Sequence, residues 1–145
     1  MSNNKAAEEI TIEYGFRWFE FHARQRTTTF YFYLGVYAGL AAAEGFLLKE
    51  KIHVGSVSAS LVMIIMSLLF WQLDVRNRQL IEIGESLLSQ GWKKSVGDES
   101  INPVSLAAKR HLSSFRYKEL FGAVFTVGVI GGIAAFSYAV YLAQA

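Results

Sequence analysis

The chain has 145 residues, with no cysteine and a single proline. Without cysteine it can form no disulfide, no zinc–thiolate site and no thiol nucleophile. One proline and an aromatic content of 14% do not match the composition of disordered proteins. Charged residues make up 18% of the chain, yet they are almost missing from three long segments. Charged and apolar residues therefore occupy separate parts of the sequence.

The three uncharged segments are long enough to cross a membrane. They cover residues 27–48, 54–73 and 120–143, which is 22, 20 and 24 residues, and Glu44 is their only Asp, Glu, Lys or Arg. A helix needs about 20 apolar residues to cross a hydrocarbon core of roughly 30 Å. Lipid offers no partner to an exposed backbone amide, so such segments are helical. The sequence predicts an all-α membrane protein with three transmembrane helices.

Lys and Arg lie almost entirely on one side of these segments. Twelve of them precede the first segment or separate the second from the third, two lie in the 49–53 link, and none follows the third. The positive-inside rule places the N-terminus and residues 74–118 in the cytoplasm, and the link and C-terminus outside. The 26-residue leader carries four acidic residues, unlike a cleavable signal peptide. We therefore expect the first segment to be retained as a span.

Helical patterns continue beyond the spans. Residues 8–26 carry apolar stripes at three- and four-residue spacing, which predicts an amphipathic helix leading into the first span. Leucines recur every seven residues from 73 to 87, as in a coiled coil, and Gly91 is expected to end this helix. Pro103 suits the first turn of another helix. The sequence thus predicts that residues 74–118 form cytoplasmic helices and a linker, and that each span has a cytoplasmic extension.

Small residues mark two surfaces for close helix packing. Gly35, Gly39 and Ala43 follow one another at four-residue spacing in the first span, and Gly128 and Gly132 do so in the third. Close backbone approach drives helix association in lipid. These stripes can pack within one chain or between copies. Three spans have few internal faces, so contacts in a cyclic homo-oligomer are an equal alternative.

The second span carries the only sustained polar face. Ser60, Ser67 and Asp74 are seven residues apart and share one helix face, with Ser56 one turn earlier and Gln72 near the end of the span. A stripe of hydroxyls can line a water-filled path, or it can bond to helix carbonyls. If the chain conducts ions, we predict that these five residues line the path.

Glu44 lies about one helical turn from the end of the first span. Ionisable residues inside a span are functional candidates. One interpretation is an interfacial carboxylate beside Lys49 or His53, which reaches water cheaply. The other is a ring of Glu44 side chains that favours cations at the outer mouth of a pore.

Basic side chains of the predicted cytoplasmic segments lie beside aromatic rings. Such combinations bind nucleotides or single-stranded nucleic acid. Next to a membrane they also set topology and contact anionic lipid headgroups, which is the favoured interpretation. The candidates for ligand or lipid binding are Arg17, Trp18, Arg24, Arg26, Arg76, Arg78, Lys93 and Lys94.

No catalytic pattern stands out in the sequence. The three histidines are isolated from one another, and there is no nucleophile elbow, no metal-ligand pair and no phosphate-binding glycine loop. The sequence therefore predicts a protein that is not an enzyme and that uses no cofactor or metal.

Two segments resemble small three-span bacterial membrane proteins. They are residues 19–26 (FEFHARQR) and 73–81 (LDVRNRQLI), the latter continuing to Gly84 and Glu85. Some proteins of this type look like membrane effectors of anti-phage systems of the CBASS-like and Hailong-like kinds, where a nucleotide-type signal controls a membrane-disrupting protein. The resemblance implies a helical oligomer of the bacterial inner membrane that perturbs the membrane on command.

Two functions follow as expectations. The first is an oligomeric ion channel or pore that is gated from its cytoplasmic helical bundle by a nucleotide, an oligonucleotide or a partner protein. The second is a membrane anchor that conducts nothing and recruits a cytoplasmic partner through residues 8–26 and 74–118. Conductance in planar bilayers separates the two.

Overall fold

A computed structural model describes the backbone of residues 2–96 and 117–144, and the side chains of residues 10, 12–93 and 119–144. The predicted helix start at Pro103 and the side chain of Lys94 lie outside these residues. The described chain forms three α-helices, which are α1 (Ser2–Lys49), α2 (His53–Val96) and α3 (Tyr117–Gln144).

All three helices are long and apolar enough to cross a membrane. The predicted helical class is confirmed, and the described helices that could span a membrane number three, as predicted. The predicted amphipathic helix at 8–26 and the first span form one uninterrupted helix, α1. The second span likewise continues without a break to Val96.

The prediction that Gly91 ends the second helix is wrong, because α2 continues five residues further to Val96. Gly91 is buried, and a Cβ atom at this position would lie 2.7 Å from Cγ1 of Ile12. The missing side chain makes room for α1 in the middle of a helix. This glycine serves close packing and not a helix terminus.

The turn between α1 and α2 is a Schellman motif. The amide of Ile52 donates to the carbonyl of Leu47 at 2.9 Å, and the amide of Lys51 donates to Leu48 at 3.1 Å. Lys51 has a φ of 58°, the left-handed conformation that this motif requires at the residue after the helix cap. The motif satisfies the last carbonyls of α1 and reverses the chain within a few residues.

The described residues form two compact units. The two-helix unit contains residues 2–27 of α1 and residues 75–96 of α2, and the three-helix unit contains residues 28–74 and 117–144. The three-helix unit includes nearly all of the three predicted spans. The predicted extensions of the first two spans make up the two-helix unit.

Close contacts at small residues hold the two-helix unit together. The indole nitrogen of Trp18 donates a hydrogen bond to the carbonyl of Leu80 at 2.9 Å. A Cβ atom at Gly84 would lie 3.1 Å from the Trp18 ring, and one at Gly15 would lie 3.4 Å from Leu87. The leucine repeat of α2 therefore runs beside α1, where glycines allow the two backbones to approach closely.

Aromatic side chains join all three helices of the three-helix unit. Tyr33 from α1, Phe70 from α2 and Phe125 from α3 are buried, with exposed fractions of 7% or less. Phe30 stacks on Phe121 with ring centroids 4.0 Å apart. Stacked and edge-on ring pairs prefer defined geometries, so this cluster fixes how the helices pack as well as burying apolar area.

Candidate functional site

The hydroxyl face of α2 points into the three-helix unit. Ser56, Ser60 and Ser67 have no exposed surface, and Asp74 is 8% exposed. Gln72, the remaining predicted pore-lining residue of α2, is exposed. The seven-residue spacing therefore indicated a face that packs inside the chain. A pore-lining role for this face stays a prediction.

Hydroxyl groups form a polar layer among the three helices of the unit. The Tyr33 and Ser67 hydroxyls are 3.0 Å apart, and Ser67 also donates to the carbonyl of Met63 at 2.9 Å. The Tyr37 hydroxyl donates to the carbonyl of Gly128 at 3.0 Å. Buried tyrosine hydroxyls require such partners, so two tyrosines in an apolar span were a signal of polar contacts that the sequence reasoning missed.

Glu44 belongs to a second polar layer, nearer the α1–α2 turn. Its Oε1 accepts hydrogen bonds from Ser56 at 2.5 Å and Ser60 at 3.2 Å. Its Oε2 is buried without a hydrogen-bond partner among the described residues. The carboxyl group is buried within the chain, where the serines of α2 supply hydrogen bonds that water would otherwise supply. The interfacial position and the ring at a pore mouth both stay predictions.

The two stripes of small residues have different surroundings. A Cβ atom at Gly132 would lie 2.8 Å from Cγ1 of Ile64, and one at Gly128 would overlap the hydroxyl of Tyr33. At Gly35 and Gly39 an added Cβ would have no neighbour within 4 Å. The α3 stripe is therefore used inside the chain, while the α1 stripe faces away from the other two described helices.

The open surface of α1 is wider than the predicted stripe. We define the small-residue face as Gly35, Ala38, Gly39, Ala42 and Ala43, all of which are exposed. Glycine and alanine at these positions let a second helix approach the α1 backbone closely. None of the five side chains can hydrogen-bond or ionise, so the face offers a packing surface and no chemistry.

The basic and aromatic candidates have different surroundings. Trp18 is half-buried, its indole N–H is bonded to the carbonyl of Leu80, and its ring lies near those of Tyr14 and His22. Arg17 and Arg78 pair with Glu13 and Glu82 of their own helices at 2.6 and 3.5 Å. Binding of a nucleotide or of lipid headgroups stays a prediction. The remaining described candidates are the exposed Arg24, Arg76 and Lys93 and the half-buried Arg26.

A buried histidine was missed by the sequence reasoning. His22 is 8% exposed, and its ring centroid lies 4.6 Å from that of Trp18 and 5.1 Å from that of Phe21. Its position one turn after Trp18 was a usable signal, since residues four apart are neighbours on a helix. Across residues 2–96 and 117–144, no group of three or more His, Cys, Asp or Glu side chains could hold a metal ion.

Comparison with known proteins yields no match to a protein family, to a curated protein or to a solved structure. The segments at 19–26 and 73–81 therefore remain the basis of the resemblance to three-span bacterial membrane proteins. Both segments are helical, the first in α1 and the second in α2.

Proposed function

We propose that this protein is a homo-oligomeric ion channel or pore of the bacterial inner membrane, gated from cytoplasmic helices, that acts as an effector in anti-phage defence. The observation that carries the proposal is the small-residue face of α1, which the other two described helices leave open. The resemblance at residues 19–26 and 73–81 supports the defence role.

An open small-residue face favours assembly in lipid. Lipid tails are as apolar as leucine, so spanning helices associate through close packing and not through the hydrophobic effect. The chain already uses Gly128 and Gly132 for packing within itself. Among the described residues the face on α1 has no such contact, and in this proposal it gains one from another copy of the chain. A face that binds a different surface of the next copy gives a ring when the rotation between neighbouring copies closes.

The orientation in the membrane follows from charge. The excess of basic residues before the first span and between the second and third places the N-terminus in the cytoplasm and the C-terminus outside. In this proposal the two-helix unit is cytoplasmic and the three-helix unit spans the membrane. Because α1 and α2 are continuous helices that contribute to both units, a signal received in the cytoplasm can move the spanning segments.

A test of orientation uses the absence of native cysteine. Single cysteines replace Ser2 and Gln144, and intact cells are treated with a membrane-impermeant thiol reagent. Position 144 should be labelled, and position 2 should be labelled only after the cells are opened. The reverse pattern would invert the proposed topology and place the two-helix unit outside the cell.

Conduction along the hydroxyl face requires a rearrangement within each chain. In the described conformation the Ser67 hydroxyl is hydrogen-bonded to Tyr33, and the Ser56 hydroxyl is hydrogen-bonded to Glu44. This conformation is closed in our proposal. The path opens when α1 moves away from α2 and water replaces these partners. Asp74 then lies one heptad from Ser67, where a carboxylate concentrates cations.

Currents through purified protein in planar bilayers test this path. Asp74→Asn should lower the preference for cations over anions. Ser60→Cys should make the activated current sensitive to small thiol reagents, because the hydroxyl face is wet in the open state. Ser58→Cys is the matched control, since Ser58 is exposed on another side of α2, and its modification should leave the current unchanged. The activators are candidate nucleotides and oligonucleotides.

If a stable oligomer carries no current under any activating condition, the proposal of a channel is wrong. Unchanged ion preference in Asp74→Asn together with an insensitive Ser60→Cys would instead move the path to another span.

A non-conducting anchor is the alternative function. The two-helix unit exposes apolar side chains at Ile10, Tyr14, Phe16 and Phe21, with exposed fractions between 56% and 66%. A helix that displays such residues packs on protein or on lipid headgroups. The adaptor is favoured if alanine at Tyr14 and Phe16 releases a cytoplasmic protein that the intact chain retains, and if the protein carries no current.

A further inference from the structure

Tyr33 of α1 contacts α2 and α3 through both its ring and its hydroxyl group. The ring centroid lies 5.4 Å from that of Phe70 in α2 and 4.8 Å from that of Phe125 in α3. The hydroxyl oxygen lies 3.0 Å from that of Ser67 in α2 and directly over Gly128 in α3, where an added Cβ atom would overlap it. Tyr33 is only 1% exposed. One buried side chain therefore joins all three helices of the unit.

The two neighbouring helices present matching surfaces to this side chain. Phe70 lies three residues from Ser67 along α2, and Phe125 lies three residues from Gly128 along α3. Residues three apart are neighbours on a helix surface. On each helix an aromatic ring thus lies about one turn from the position that receives the Tyr33 hydroxyl. The α2 helix receives it with a second hydroxyl group, and the α3 helix receives it with the space that a glycine leaves.

Packing alone does not require the hydroxyl group at this junction. Phenylalanine at position 33 would keep both ring contacts, and position 128 would then not need a glycine, which is the less favourable residue inside a helix. The chain instead places a hydrogen bond between helices. In a spanning bundle such a bond shifts an equilibrium by about threefold to tenfold. A contact of this strength biases the helices toward one arrangement and still allows them to leave it.

Tyr37 makes a related contact one turn further along α1. Its hydroxyl group donates to the carbonyl of Gly128 at 3.0 Å, and a Cβ atom added at Gly131 would lie 2.7 Å from the same hydroxyl oxygen. This hydrogen bond joins α1 to α3, whereas that of Tyr33 joins α1 to α2. Both tyrosine hydroxyls meet α3 at Gly128, so α1 can separate from the other two helices at this level only if these contacts break.

We propose that the hydroxyl group of Tyr33, held by Ser67 and Gly128, forms a latch that keeps α1 in the closed arrangement. The inference rests on the proposed function, in which the path opens when α1 moves away from α2. Opening breaks the hydrogen bond between Tyr33 and Ser67 and withdraws the hydroxyl group from the space over Gly128. The strength of this latch sets the fraction of molecules that open without an activator.

The variant Tyr33→Phe tests the latch in proteoliposomes of the full chain, because it removes the hydroxyl group and keeps the ring. The readout is the rate at which a small thiol reagent modifies Ser60→Cys, a position with no exposed surface, in the absence of an activator. We expect Tyr33→Phe to raise this rate about threefold to tenfold, the range for one hydrogen bond between spanning helices. Tyr31→Phe is the matched control, since Tyr31 is 67% exposed on the same helix, and it should leave the rate unchanged.

The variant Ser67→Ala completes a double-mutant cycle with Tyr33→Phe. Alone it should raise the modification rate of Ser60→Cys by a similar factor, because it removes the same hydrogen bond. The two changes together should raise the rate no further than the larger single effect. If the two factors multiply, the hydroxyl groups act independently of each other and the latch is wrong.

The modification rate requires no current, so it separates the latch from the channel. An unchanged rate in Tyr33→Phe, or an equal rise in Tyr31→Phe, overturns the latch even if the protein conducts. A raised rate in Tyr33→Phe with no current in planar bilayers supports the latch between the helices and contradicts the channel. A raised rate together with a current that no longer needs an activator supports both.

Discussion

Replacing Gly132 with leucine is expected to destabilise the three-helix unit. A Cβ atom at this position would lie 2.8 Å from Cγ1 and 3.2 Å from the backbone nitrogen of Ile64, and 3.5 Å from the carbonyl oxygen of Ser60. A backbone cannot rotate away as a side chain can, so leucine must push α3 from α2. Overpacking of this kind costs about 1–3 kcal/mol or more. The free energy of unfolding, measured by denaturant titration in detergent, should fall by at least that amount.

Gly122→Leu is the matched control in the same helix. An added Cβ at Gly122 has no neighbour within 4 Å, so the same increase in volume meets open space. Its free energy of unfolding should stay within about 0.5 kcal/mol of the parent. Equal stability of the Gly132→Leu and Gly122→Leu proteins would show that the close approach of α3 to α2 is not required for the fold.

The helical class and the number of spans could be read from the sequence because lipid leaves the backbone few choices. A segment that must satisfy every amide internally is a helix, and its length is set by the thickness of the bilayer. The continuity of residues 8–26 with the first span could be read too, since no breaker interrupts the apolar periodicity.

The environment of each small residue could not be read in this way. Gly39 and Gly132 have the same four-residue spacing to their neighbours and similar apolar surroundings in the sequence. Gly39 is open, whereas Gly132 lies against the backbone of α2. This difference depends on how α3 packs against α2. Gly91 shows the same limit. A glycine after a heptad pattern suits a helix terminus, but its use here is set by Ile12 of another helix.

The polar residues of the spans show a third case. Their presence was evident, and the common face of Ser60 and Ser67 follows from helical geometry alone. Their partners were not evident, because Tyr33 and Glu44 lie far away in sequence and meet them only after α1 and α2 pack. The small-residue face of α1 has no such partners among the described residues. It could be identified only after the contacts of the other α1 residues were known.

Replacing Gly39 with leucine is expected to split the oligomer into folded single chains. In the isolated chain a Cβ atom at this position has no neighbour within 4 Å among the described residues, so the three-helix unit should keep its stability. Between chains the leucine holds the α1 backbone away from the next copy and removes the close contact that drives association in lipid. We expect association to weaken at least about tenfold, equivalent to about 1.4 kcal/mol per interface. Light scattering of the detergent-solubilised protein measures the mass of the complex. Toxicity of the expressed protein to the cell should fall together with this mass.

The control for assembly is again Gly122→Leu, which adds the same side chain to an open position on α3 and should leave the oligomer intact. Gly35→Leu should act like Gly39→Leu, because both glycines belong to the small-residue face of α1. A parent protein that is already monomeric at micromolar concentration would end the proposal of assembly. An oligomer that persists in both α1 variants but dissociates in Gly122→Leu would move the interface to α3, where the packing of neighbouring chains would then have to be sought.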